Sequence, residues 1–164
     1  MIFVLLAPLA AMVVAAGAAI GIRRADVDPA AWHVDPTTAP PTGNPNWYRL
    51  TPDTAPADRD PKRDGSAPVY DVDVDRLEAA FDEVALGDDR VEVLAGSASD
   101  GFVTYVQRSA LFAFPDYVSV TFSPEPSGGS TLALFSRSQY GRSDLGVNEK
   151  RANRWIDRLT TELS

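Results

Sequence analysis

Apolar and polar positions follow three different rules along the 164-residue chain. From Met1 to Ile22 apolar residues run on without a charged side chain, as MIFVLLAPLAAMVVAAGAAIGI. About 20 helical residues at ~1.5 Å each cross a hydrocarbon core of roughly 30 Å, so this run predicts a transmembrane anchor over residues 1–24, closed by Arg23 and Arg24. Ala16-Gly17-Ala18 resembles a signal-cleavage site. Against cleavage, no basic segment precedes the run, which outlasts the ~7–15 apolar residues of a signal peptide. Residues 25–67 lose all periodicity and contain Pro40-Pro41, Asn44-Pro45, Thr51-Pro52 and Asp60-Pro61. Proline removes backbone donors and bars the preceding residue from helical geometry, so a spacer without a long helix or central strand is expected. Within it, Trp47-Tyr48-Arg49-Leu50 is expected to lie against the following domain as a short edge strand. Trp32 is expected at the membrane interface, where indole rings are enriched, and residues 51–67 as a solvated loop.

Residues 68–164 are periodic. After a short strand at Val69–Tyr70, Leu77, Phe81 and Val84 recur at i, i+4, i+7 and predict a helix to about Leu86, capped by Asp73 or Asp75. Four alternating segments follow, at residues 90–94, 102–107, 117–122 and 131–136. Their β-branched and aromatic residues at period two predict half-buried antiparallel strands. Asp100-Gly101 and Ser127-Gly128-Gly129 supply the reversals. The apolar bridge at residues 110–115 is expected to be buried as a corner of the core. Ala152, Trp155, Ile156, Leu159 and Leu163 form the inward stripe of a last helix over residues 145–163. Asp144 is its expected N-cap, and Lys150, Arg151, Arg154 and Arg158 its solvated strip. Strand, helix, four strands and helix bury their stripes as a two-layer α+β domain.

Charge changes this picture by exclusion. The formal net charge is −8, from 15 basic and 23 acidic residues. All 23 acidic residues lie after Arg24, so the chain beyond the anchor is poorly suited to nucleic acid. There is no cysteine and a single histidine, His33, which leaves no thiolate chemistry, no histidine metal cluster and no cofactor motif. Asp71, Asp73 and Asp75 alternate, but a calcium loop begun at Asp71 would place Arg76 where its glycine belongs, so helix capping is their expected role.

Within the acidic body, residues 137–158 carry six basic and three acidic side chains. They overlap the stretch Ser136-Arg-Ser-Gln-Tyr-Gly-Arg-Ser-Asp-Leu-Gly-Val-Asn148. This stretch resembles the signature of the bacterial family called domain of unknown function 1499. So do Trp32-His-Val-Asp-Pro36, Val103-Thr-Tyr-Val-Gln-Arg-Ser109 and Phe112-Ala-Phe-Pro-Asp-Tyr-Val118, and the resemblance covers roughly residues 30–164. It implies no activity and no catalytic residue. The strand, helix, four-strand, helix order is itself similar to one repeat of the TATA-box-binding-protein-like fold, and to helix-grip domains that hold apolar ligands.

The signature leads from a strand into a helix N-terminus, where unsatisfied N–H groups and a positive dipole end attract anions. Ser136, Ser138, Ser143 and Asn148 offer polar hydrogens, Arg137, Arg142 and Arg151 forked donors, and Gly141 and Gly146 close backbone approach. Asp144 completes this candidate ligand site, and capping by Ser143 and Asp144 with acid-paired arginines is the competing structural reading. The functional expectation is a single-pass module of the bacterial inner membrane, with the side of its C-terminal domain open. It would be non-enzymatic, contact the bilayer through residues 1–22, and bind a small anionic or amphipathic ligand or a membrane-protein partner. The alternatives are an enzyme using the Arg/Ser/Asp loop on an ester or phosphate, and a structural part of an envelope complex.

Overall fold

The computed structural model describes residues 28–53, 60–141 and 143–164. The alternation of β-branched and aromatic residues produces a four-strand meander of β4 (Val91–Ser97), β5 (Phe102–Arg108), β6 (Pro115–Pro124) and β7 (Ser130–Ser138). Each strand pairs antiparallel with the next, in registers such as Val103 with Val120 and Val120 with Leu134. The reversals use the glycines the sequence offers. Gly101 adopts a φ of 76° after a short 3-10 turn at Ala98–Asp100, and Gly129 adopts 82° between β6 and β7. A Cβ on Gly129 would stand 2.2 Å from the Tyr70 carbonyl oxygen, so only glycine fits that approach.

The sheet is larger than the periodicity predicts. Three further strands, β1 (Trp47–Thr51), β2 (Asp64–Ser66) and β3 (Val69–Tyr70), precede the meander. The order is β2-β1-β7-β6-β5-β4, with β3 also paired to β7. β1 is therefore an internal strand, bonded to β7 on one side and to β2 in parallel on the other. The expectation of an edge strand fails for a local reason. Pro45 and Pro52 bracket β1 without entering it, so all five of its residues keep their ladder groups. The expected solvated loop at residues 51–67 likewise contains β2.

Helices α2 (Val74–Leu86) and α3 (Val147–Glu162) cover one sheet face. Asp73 caps α2, accepting from the Arg76 amide at 2.8 Å. Trp155 is fully buried, with Phe81 and Tyr105 packed edge-on at ring separations of 5.9 and 6.0 Å. Leu77, Leu132, Leu134 and Leu159 are likewise sealed from solvent, each contributing roughly 1.5–3 kcal/mol by burial.

The opposite face is not left to solvent, contrary to the two-layer expectation. Residues 28–46 lie across it, beginning with the single-turn helix α1 (Pro29–Trp32), which Asp28 caps. Trp32 stacks on Tyr117 at 3.9 Å between ring centres, so it is packed on the sheet rather than held at a membrane interface. His33 stacks on Phe102 at 3.7 Å, and its Nδ1 lies 2.9 Å from the Thr104 hydroxyl. Under this cover Thr104, Tyr117, Ser119 and Phe135 are buried, and the central strands are buried on both faces. The bridge at residues 110–115 is buried only in part. Leu111 is 73% exposed and Phe112 39%, whereas Ala113 and Pro115 are buried and Phe114 is half-buried.

Among the described residues, no helix is long and apolar enough to cross a membrane. The expected anchor over residues 1–24 lies outside the described residues.

Candidate functional site

The signature stretch divides between two faces of the sheet. Side chains alternate along β7, so Ser136 and Ser138 face the helix layer while Arg137 faces the other way. On the helix side the chain turns at Gly141, with a φ of 101°, and enters α3 through Gly146 at 73°. Gly146, not the expected Asp144, occupies the N-cap position, and Asp144 braces the entry from two residues earlier, accepting from the Gly146 amide at 3.1 Å and the Asn148 amide at 3.2 Å. Asn148 is completely buried. Its Nδ2 faces the Asn46 carbonyl at 3.1 Å, the Ser138 hydroxyl at 2.9 Å and Asp144 at 2.8 Å. Its Oδ1 accepts from the Ser136 hydroxyl at 2.7 Å and from Arg151 Nη1 at 3.0 Å. Arg151 is 3% exposed and also donates to Gln107 and Asp116. It is therefore a buried tie between α3 and the sheet, not part of a solvated strip. This network is saturated with its own partners. It joins the end of β7, the start of α3 and the segment before β1.

The outer part of the loop behaves differently. Ser143, Asp144 and Gly146 line a shallow polar cleft of about 340 Å³ with Lys62, Arg63 and Glu149. Gly141 lends its carbonyl to the Asn46 side chain at 3.0 Å. Arg142 lies outside the described residues. The structure thus brings Ser136, Ser138, Asp144, Asn148 and Arg151 together as a lock, and sets Arg137 apart.

Arg137 has the least compensated surroundings. It is 2% exposed. Nη2 donates to the Ser119 hydroxyl at 2.9 Å and to the Trp32 carbonyl. Its guanidinium carbon lies 5.5 Å from the centre of the Trp32 ring and 4.7 Å from that of Phe135. Nη1 is buried without a hydrogen-bond partner. No carboxylate among the described residues pairs with it. The neighbouring cation, Arg49, is held by Asp64 at 3.6 Å and donates to the Ala39 carbonyl at 2.8 Å. Burial, with Arg49 nearby, pulls the Arg137 guanidinium down to about 10, so it still carries its charge at neutral pH. Arg137 lines a cleft of about 280 Å³ with Trp32, Val34, Ala39, Pro40 and Phe135.

Chemically this is a cation with one spare donor beside aromatic and aliphatic walls. It suits an oxyanion attached to an apolar body. Its lining hydroxyl, Thr42, is half-buried and donates to the Asn44 carbonyl at 2.7 Å, while Thr104 and Ser119 behind Arg137 are buried and bonded to each other at 2.9 Å. Burial lowers the pKa of His33, favouring neutral imidazole. No cluster of three potential metal ligands exists among the described residues. Sequence reasoning named Arg137 but missed its walls. The missed signal was Trp32-His-Val-Asp-Pro36, which supplies the cleft's other side from far along the chain.

The family described as "Protein of unknown function (DUF1499)" matches residues 43–159. No curated protein matches the chain. The crystal structure of protein MLL2253 from Mesorhizobium loti is similar to it at 16% sequence identity, with a TM-score of 0.45, covering 58% of this chain and 91% of that one.

Proposed function

The chain belongs to the DUF1499 family, whose name assigns no activity, and from its own cleft we propose that it is a non-enzymatic binding module for a small amphipathic anion. The observation that carries this reading is Arg137: a buried guanidinium without a carboxylate partner and with an unpaired Nη1, lining an apolar cleft. Leaving a charged donor buried and unpaired is costly, and a ligand oxygen would remove that cost. At about 280 Å³ the cleft falls near the lower end of small-molecule pockets, which span ~300–1,000 Å³, so the ligand is a short-chain carboxylate or a compact acid. We place the module on a bacterial inner membrane, tethered by residues 1–22, because that run is uncharged and long enough to span. Retention of the full chain in membranes after an alkaline carbonate wash tests the tether.

Binding is tested by titrating the full chain with octanoate while following tryptophan emission, since Trp32 forms a wall of the cleft. Wild type is expected to bind octanoate at least about tenfold more tightly than Arg137→Gln. 1-Octanol, which lacks the charge, should not distinguish them. Arg137→Lys, which keeps the charge, separates loss of the cation from loss of packing and is expected to retain part of the affinity. Equal octanoate affinity in wild type and Arg137→Gln overturns the proposal.

A further inference from the structure

A second and larger cleft, of about 630 Å³, lies between α2 and the turn that joins β4 to β5. Its helical wall presents Asp75, Glu78 and Asp82, whose spacing of three and four residues puts them on one face of α2. Its other wall includes Val93, Ser97 and Ser99. The three carboxylates are not equivalent. Asp82 accepts the Tyr105 hydroxyl at 2.7 Å and is already engaged. Asp75 is exposed at the rim. Glu78 is only 8% exposed, lines the cleft, and has no hydrogen bond or ion pair. Its charged neighbours, Asp75 and Asp100, are acidic as well. Asp100 is itself bound to the Ser97 hydroxyl at 2.7 Å, so among the described residues Glu78 is the buried carboxylate of the cleft without a partner, with the exposed Asp75 beside it.

We propose that this cleft binds an organic cation, with an ammonium or guanidinium group seated on the Glu78 carboxylate between Asp75 and Asp82. A metal ion fits the geometry less well, because no three potential ligands among the described residues converge at coordinating distance. The walls supply what an alkylamine needs: carboxylates and serine hydroxyls for the head, and Ala79 and Val93 for the methylene stem. The acidic body of the chain would draw such a cation toward the cleft. This site is separate from the Arg137 cleft, of opposite charge preference, and stands or falls independently of it.

The test is calorimetric titration of the full chain at low ionic strength with spermidine, with a tetralysine peptide and with calcium chloride. Wild type is expected to bind spermidine or the peptide. Glu78→Gln should weaken that binding by about tenfold or more, and Asp75→Asn by a smaller factor. Glu149→Gln, an exposed acid on another element, should leave it unchanged. Glutamine matches glutamate in shape and removes an unpartnered charge, so Glu78→Gln is expected to fold at least as well as wild type. Preference for spermidine identifies a free amine as the ligand, and preference for tetralysine identifies a basic side chain of a partner. Equal affinity of wild type and Glu78→Gln, binding of neither cation, or calcium binding that Glu78→Gln abolishes would each overturn the proposal.

Discussion

Replacing Asn148 with alanine tests whether the signature stretch is an architectural lock. Asn148 Nδ2 faces three acceptors, but an amide carries two hydrogens, so at most two bonds are donated at once. Oδ1 accepts two more, from Ser136 and Arg151. Four bonds at a net ~0.5–1.5 kcal/mol each bracket the loss at about 2–6 kcal/mol. The partners left behind narrow it. The Ser136 hydroxyl and Arg151 Nη1 still bond each other at 3.0 Å, and Asp144 keeps its backbone amides. The Asn46 carbonyl keeps the Ser138 amide at 2.9 Å, so the buried Ser138 hydroxyl is the group left without its side-chain partner. One such group at ~1–3 kcal/mol points to the low end of that bracket and places Asn148→Ala at a loss of about 2 kcal/mol, a substantial part of the ~5–15 kcal/mol that holds a domain together. Urea unfolding of the full chain, followed by tryptophan emission and extrapolated linearly to water, reads this directly. Glu149→Gln, on the neighbouring exposed position, should change stability by no more than ~0.5 kcal/mol. A loss below about 1 kcal/mol for Asn148→Ala would refute the lock, by showing that these polar groups are satisfied without the asparagine.

Two further outcomes follow from the same structure. Gly129→Ala should lower stability by ~2 kcal/mol or more in the same urea assay, because the added Cβ meets the Tyr70 carbonyl at 2.2 Å and φ is 82°; an unchanged midpoint would show that the turn rearranges freely. For Asp88, burial by itself would raise the carboxyl, but bonds from Arg154 and from Trp155 at 2.8 Å outweigh it and hold it below the ordinary value. Its stabilisation is therefore complete above the unfolded carboxyl's ~3.9 and is lost as pH falls through the lowered native value. Urea midpoints between about pH 5 and pH 3 should fall more steeply for wild type than for Asp88→Asn, and equal slopes would refute this role.

Much of the helix layer was legible in the residues. The stripe Leu77, Phe81 and Val84 and the stripe Ala152, Trp155 and Leu159 are local patterns, and they pack where those patterns point. Asp73 was readable as a cap because a short acceptor before an apolar period has few other uses, whereas the expected cap Asp144 lies two residues before the actual N-cap, Gly146. The candidate site was legible only in part. The signature names Ser136, Arg137 and Ser138 as neighbours in sequence, and strand alternation puts the middle one on the opposite face. The strand at Trp47–Leu50 was legible in the spacer, but its place inside the sheet was not, because that depends on Asp64–Ser66 closing its outer edge as a parallel neighbour.

The sequence by itself determined the α+β class, the meander, both amphipathic helices and the exclusion of cysteine and histidine-cluster chemistry. These depend on spacing within a few residues or on composition. Tertiary structure alone decided what covers the second sheet face. Thr104, Ser119 and Arg137 sit on three alternating strands, and alternation reports only that two faces differ, not what lies against either. Trp32 and the residues after it provide that cover from about 70 to 105 positions away, through stacking on Tyr117 and bonds to Ser119, Thr104 and Arg137. A contact of that range leaves no periodic trace, so the buried, unpaired cation it creates became visible only once the chain was folded.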